Sequence, residues 1–238
     1  MAWLFVIRIP GWRTFFLQAP SLLHMRESFL GFFGRHFRSP IFSAIEQGRD
    51  QDVLRLANPQ RLKTARGRWG ESPLCAAILS GRSELAIQLV HRGGSFENDG
   101  ALSQAAMRGD LSVIDALLEA GKNPDEAMPD QEFSEGMTPL MWATNRKFYA
   151  CMERLLEGGA SVDAQAKDGR TAAMFTLHGQ PEDIRALEIL CRYKPDITLR
   201  DWRGRNLVDE AIGREKHGGN SSMRLLLERH YPSMFEQP

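Results

Sequence analysis

The sequence has little of what metal sites, disulfide frameworks and membrane spans are built from. Three cysteines, Cys75, Cys151 and Cys191, stand far apart in 238 residues. An odd number at such wide spacing fits neither a disulfide framework nor a paired metal knuckle, and it points to a reducing compartment, the cytoplasm. No apolar run reaches the length of a membrane-spanning helix, so none is expected. Neither sign of charge is in excess, with Lys+Arg 30 against Asp+Glu 30, which argues against nucleic acid as the default ligand. A glycine-rich phosphate loop, a His-Glu-x-x-His helix, a Cys-x-x-Cys pair and a Gly-x-Ser-x-Gly elbow are all missing. The histidines are scattered. No catalytic group, no cofactor and no metal set is therefore expected, and the chain reads as a non-enzyme.

What is present can fill a core: 42% of the residues are hydrophobic, and 25% are charged, too mixed a composition for a low-complexity tail. The charge is uneven. Residues 1–38 hold Arg8, Arg13, Arg26, Arg35 and Arg38 against Glu27 alone, a balance of +4, so the rest of the chain carries −4. Phe is also concentrated there. Two differently composed pieces meet near Arg38.

The larger piece repeats. Ser39-Pro-Ile-Phe-Ser-Ala44, Ser72-Pro-Leu-Cys-Ala-Ala77, Gly100-Ala-Leu-Ser-Gln-Ala105, Thr138-Pro-Leu-Met-Trp-Ala143, Thr171-Ala-Ala-Met-Phe-Thr176 and Asn206-Leu-Val-Asp-Glu-Ala211 begin 33, 28, 38, 33 and 35 residues apart. Ser or Thr followed by Pro is the chemistry of a helix start: the hydroxyl accepts an orphan N–H, and Pro sits where no donor is needed. The small Ala lets a neighbouring helix approach. Gly48, Gly81, Gly109 and Gly179 can close these short helices. Second apolar stripes follow, such as Leu85, Ile87, Leu89 and Val90, then Val113, Ile114, Leu117 and Leu118. The unit predicted is helix, turn, helix, loop.

This pattern resembles the ankyrin repeat, whose first helix opens Thr-Pro-Leu-His-x-Ala and whose second ends Leu-Leu-x-x-Gly-Ala. Gly136-Met-Thr-Pro-Leu-Met-Trp-Ala143 with Leu155-Leu-Glu-Gly-Gly-Ala160 is the best copy. The resemblance implies an all-α solenoid of stacked helix-turn-helix units with hairpin-like loops, about six repeats over 39–231, after a basic, Phe-rich segment (1–38) and before a short tail (232–238). A tetratricopeptide array is the nearest rival, but its Trp and Tyr pattern is missing. The consensus His is absent from every copy; Phe42, Cys75, Ser103, Met141, Met174 and Asp209 stand there, which predicts looser loops. A long insertion, Lys122 to Glu135, follows the third copy, and Lys216 to Ser222 interrupts the sixth.

Three readings stay open for residues 1–38. They cap the first repeat with the Phe29, Phe32, Phe33, Phe37 stripe; or they form a basic amphipathic helix touching a membrane or partner; or translation starts at Met25.

Repeat arrays of this family bind proteins, so the resemblance implies a protein partner held in a concave groove of loop tips and first helices, and a monomer. The groove positions are Arg66, Arg68 and Trp69; Leu79, Gln104, Met107 and Arg108; Trp142, Asn145 and Arg146; Phe175 and His178; and Trp202, Arg203 and Arg205. Trp, Met and Arg are enriched where proteins meet. Trp69 and Trp202 have a second reading as braces between loops, and Trp142 as packing between helices. The acidic insertion, with Asp125, Glu126, Asp130, Glu132 and Glu135, is either a grip for a basic partner or a solvated loop with one anchor. Two alternatives to a general interaction module remain: an inhibitor or immunity-type protein that covers one enzyme, and a membrane-associated adaptor held by residues 1–38.

Overall fold

The computed structural model describes residues 39–128, 136–177, 183–217 and 221–235. The chain divides into two units, Met1–Arg38 and Ser39–Pro238, and everything described belongs to the second. The three readings of residues 1–38 therefore lie outside the described residues, as do insertion residues 129–135 and His178.

The described residues are helical, in pairs: α1 (Pro40–Glu46) with α2 (Asp50–Leu56), α4 (Pro73–Leu79) with α5 (Ser83–His91), α6 (Ala101–Arg108) with α7 (Leu111–Glu119), α8 (Pro139–Asn145) with α9 (Tyr149–Glu157), α10 (Ala172–Phe175) with α11 (Ile184–Cys191), and α12 (Leu207–Lys216) with α13 (Ser222–His230). First helices pack on first helices and second on second, and each pair packs on itself. The result is a helix-turn-helix solenoid.

The starts are where the sequence places them. Ser72 accepts from the Cys75 N–H at 3.1 Å, and Asn206 accepts from the Asp209 N–H at 2.8 Å, while Thr138 caps α8 through the Met141 N–H. The apolar residue two beyond each cap points inward: Ile41, Leu74, Leu102 and Leu140 are fully buried, and so are Val113, Ile114 and Leu117 on the second-helix stripe of α7. The ends need left-handed backbone. Gly48, Gly81 and Gly109 supply it after three first helices, but after α8 the same position falls to Lys147, at φ 61°.

One helix was not anticipated. Where the other second helices run on, Pro59 breaks the first repeat's, and Asn58 restarts the chain as α3 (Pro59–Thr64) by accepting the Arg61 N–H at 2.8 Å. Leu62 then fills the core, fully buried. At the far end Tyr231 donates its hydroxyl to the Pro195 carbonyl at 2.9 Å, and Phe235 packs against the core.

Candidate functional site

Three loops end in the same turn. In the loop before α4 the Gly67 N–H reaches the Glu71 carbonyl and the Gly70 N–H reaches that of Gly67; before α10 the pairs are Ala166 with Arg170 and Gly169 with Ala166; before α12 they are Asp201 with Arg205 and Gly204 with Asp201, all at 2.8–3.2 Å. The closing glycines, Gly70, Gly169 and Gly204, have φ of 81°, 77° and 73°, which a side chain would strain. The apex residues are Arg68-Trp69, Lys167-Asp168 and Trp202-Arg203, of which the Asp168 side chain turns back to accept the Arg170 N–H at 3.1 Å. Trp69 is 76% and Trp202 68% exposed. An arginine lies over each indole, Arg68 at 5.1 Å and Arg203 at 4.6 Å from the ring centre; at an exposed site such stacking is worth about 0.5–1 kcal/mol. Arg66 covers Phe96 in the same way at 4.9 Å.

The roots of the loops are the opposite of the tips: charged, closed and fully bonded. The Lys122 ammonium is buried between the Asp99 carboxylate at 2.8 Å and that of Glu126 at 3.0 Å, and also donates to the Phe96 carbonyl. Asp99 takes the N–H of Ala101 and of Phe96 as well. Further along, Asp125 accepts the Ser161 N–H at 2.9 Å and Asp163 accepts that of Asp196 at 2.7 Å, so each loop is pinned to the next. These contacts correct two expectations. Asp125 and Glu126 are not an acidic grip for a partner, because neighbouring loops occupy them. The expected loosening where the consensus His is missing also does not hold at Cys75 and Ser103. Cys75 donates its thiol to the Asp99 carbonyl at 3.1 Å, and Ser103 donates its hydroxyl to the Glu126 carbonyl at 3.0 Å. A shorter donor at the same position ties the same two loops.

Under the Trp202-Arg203 tip, Asp201 has a side chain only 1% exposed. Burial works to raise its pKa, but the Arg205 N–H and guanidinium and the Arg203 N–H, all bonded to it at 2.9–3.0 Å, outweigh that and hold it below the usual carboxylate value.

The first helices divide the remaining groove positions in two. Leu79 (44% exposed), Arg108, Asn145 and Arg146 face outward at the helix ends, with Met107 half-buried beside them. One turn earlier the surface closes. Phe175 is only 4% exposed, with the Arg170 guanidinium 4.5 Å from its ring centre; it is core, and its assignment to the groove is wrong. Gln104, 8% exposed, and the half-buried Trp142 hold the same repeat position. Among the described residues the Gln104 Oε1 and the Trp142 indole N–H have no partner. Adjacent first helices pack on one another, and Ala77, Ala105 and Ala143 on them are fully buried; one residue earlier the chain is buried at Gln104 and Phe175 but half-buried at Ala76 and Trp142.

The thiols offer no nucleophile. Burial, then the Asp99 carboxylate, pushes Cys75 up to about 12, and burial pushes Cys151 and Cys191 up to about 11. Such thiols stay protonated at neutral pH. Among the described residues no cluster of His, Cys, Asp and Glu is placed to hold a metal ion, and no helix is long and apolar enough to cross a membrane.

Comparison with known proteins agrees with this architecture. Residues 102–201 match the family model described as ankyrin repeats (three copies), which covers α6 to α11. Inversin of Canis lupus familiaris is 26% identical over 212 residues, 85% of this chain and 19% of that protein. An ankyrin repeat-containing protein of Treponema pallidum is 33% identical over 117 residues, 47% of this chain and 37% of its own length. The E3 ubiquitin-protein ligase KEG of Arabidopsis thaliana is 24% identical over 166 residues, 65% of this chain and 10% of that protein. The chain thus spans well under half the length of each of these relatives.

Proposed function

Since this chain is an ankyrin-repeat protein, we propose that it acts by holding another protein against its loop tips and the outward ends of its first helices, with no chemistry of its own. Ankyrin repeats generally mediate protein–protein interaction, and the fold is typically non-catalytic. The observation that carries the reading is the pair of exposed indoles, Trp69 and Trp202, each stacked with an arginine at the apex of the same turn. A stacked Trp–Arg pair is rigid, has apolar area and keeps free N–H edges, the combination found at binding hot spots. Leu79, Met107, Asn145 and Arg146 extend this surface along the first helices.

The test is a pull-down from the native cell with wild type, a Trp69→Ser/Trp202→Ser variant and a second-helix control, Arg192→Ser. We expect a protein retained by wild type and the control but weakened by about 2 kcal/mol or more in the tip variant, roughly thirtyfold in Kd. Equal retention by all three would move the site off the tips.

A further inference from the structure

Several arginines of the second helices are matched, Arg154 by Asp115, Arg192 by Glu153 at 3.2 Å, and Arg224 by Glu215 at 3.3 Å and Glu228 at 2.8 Å, whereas among the described residues Arg185, 4.3 Å from the Tyr149 ring centre, and Arg229 pair with no carboxylate. On the side of the tips and first-helix ends, Arg66, Arg68, Arg108, Arg146 and Arg203 are exposed, and among the described residues none of them pairs with a carboxylate. Most acids near them are already occupied. Glu71 accepts the Trp69 N–H at 2.7 Å, Asp168 holds Arg170, and Asp201 holds Arg205; among the described residues Glu97, in the loop before α6, is an exposed exception. Stacking on Trp69, Trp202 and Phe96 fixes three of the five guanidiniums with their N–H edges directed away from the rings.

A positive, aromatic line on a unit whose net charge is −4 has one complement. We propose that the occupant of this face is an extended acidic segment of a protein, its carboxylates received by Arg68, Arg146 and Arg203 and its apolar side chains by Trp69 and Trp202. This rests on the binding face assigned above and names the chemistry of its partner. Bidentate carboxylate recognition is what a guanidinium does and an ammonium does less well. A nucleic acid is disfavoured because the negative unit surrounding the line repels a dense polyanion, whereas a short segment can be matched charge for charge. The length follows from the stacking. Neighbouring helices pack about 8–10 Å apart, so four spacings from α4 to α12 measure roughly 32–40 Å, which about 10–12 extended residues cover.

The experiment is selection from a display library of random peptides of about 16 residues, long enough for that span. It is run on the full chain and on an Arg68→Glu/Arg146→Glu/Arg203→Glu variant whose melting matches wild type. We expect wild type to enrich peptides with several Asp or Glu and an apolar residue, losing at least about tenfold in affinity in the charge-reversed variant and weakening as salt is raised. An Arg192→Glu control should leave their binding unchanged. Neutral or basic peptides that still require Trp69 and Trp202 would overturn the acidic partner and leave the face standing. Peptides indifferent to every tip substitution would overturn the face itself. An RNA oligonucleotide that binds the same arginines more tightly than the selected peptides would overturn the proposal in favour of nucleic acid, and a selection that enriches nothing would also overturn it.

Discussion

The roots and the tips of the loops use charge in opposite ways within a few residues of chain. At the root between the third and fourth repeats, Lys122 is buried between two carboxylates and a carbonyl; at the tips, Arg68 and Arg203 lie over exposed indoles and, among the described residues, pair with no carboxylate. A buried charge is tolerable only when it is fully paired, so root charges belong to the fold. An exposed charge that is ordered by stacking yet unmatched contributes little to the fold. The difference separates residues that hold the array together from residues that, in the function proposed above, face the partner.

The largest break in that contrast is Lys122→Met. It leaves the Asp99 and Glu126 carboxylates buried together, and loss of one partner of such a set costs about 3–5 kcal/mol; a denaturant midpoint close to wild type would mean the root is not a closed ion cluster. Leu117→Ala, far from either charge site, is expected to cost about 2–5 kcal/mol through the cavity it leaves, and near-normal melting would contradict the placement of the second-helix stripe. Asp201→Asn tests a root directly beneath a tip. Replacing a carboxylate that accepts three bonds should cost about 1–3 kcal/mol at pH 7. Because the folded-state pKa of Asp201 is lowered, its contribution is complete above the ordinary carboxylate pKa near 4 and is lost as pH falls through the lower folded value. The gap between variant and wild type should therefore close below pH about 4, and a gap that persists there would deny the charge its role. The smallest effect is at the tips: Trp69→Ser and Trp202→Ser should each shift stability by no more than about 1 kcal/mol, the worth of the lost stack, while partner binding falls.

Much of the fold was legible in sequence, because repeats expose their own grammar. Capping Ser72, Thr138 and Asn206 and the apolar residue behind each were placed correctly from spacing alone. The substitutions inside the motif were harder to read. Cys75 and Ser103 looked like losses of a loop-bridging His, yet a thiol or hydroxyl at that position reaches the next loop's carbonyl once the backbones lie close enough, and closeness is a property of the packed array. The groove was half legible for a related reason. Phe175, Gln104 and Trp142 share one repeat position, and only the packed array shows that it is buried at Phe175 and Gln104 and half-buried at Trp142. The exposed positions lie a turn further on, at Leu79, Asn145 and Arg146. Pro59 was a visible breaker, but that Asn58 would open α3 there required Leu62 to have a core to enter.

The shared turn at the tips has a consequence for how such a protein could change allegiance. In all three loops the ring of hydrogen bonds is closed by main-chain groups and by a glycine at the third place. At Arg68-Trp69 and Trp202-Arg203 the apex side chains take no part in that ring, whereas at Lys167-Asp168 the Asp168 carboxylate accepts the Arg170 N–H. The first two are letters on a fixed socket. Erasing the Trp from either would rewrite the proposed binding surface one word at a time while the scaffold beneath nearly keeps its melting point.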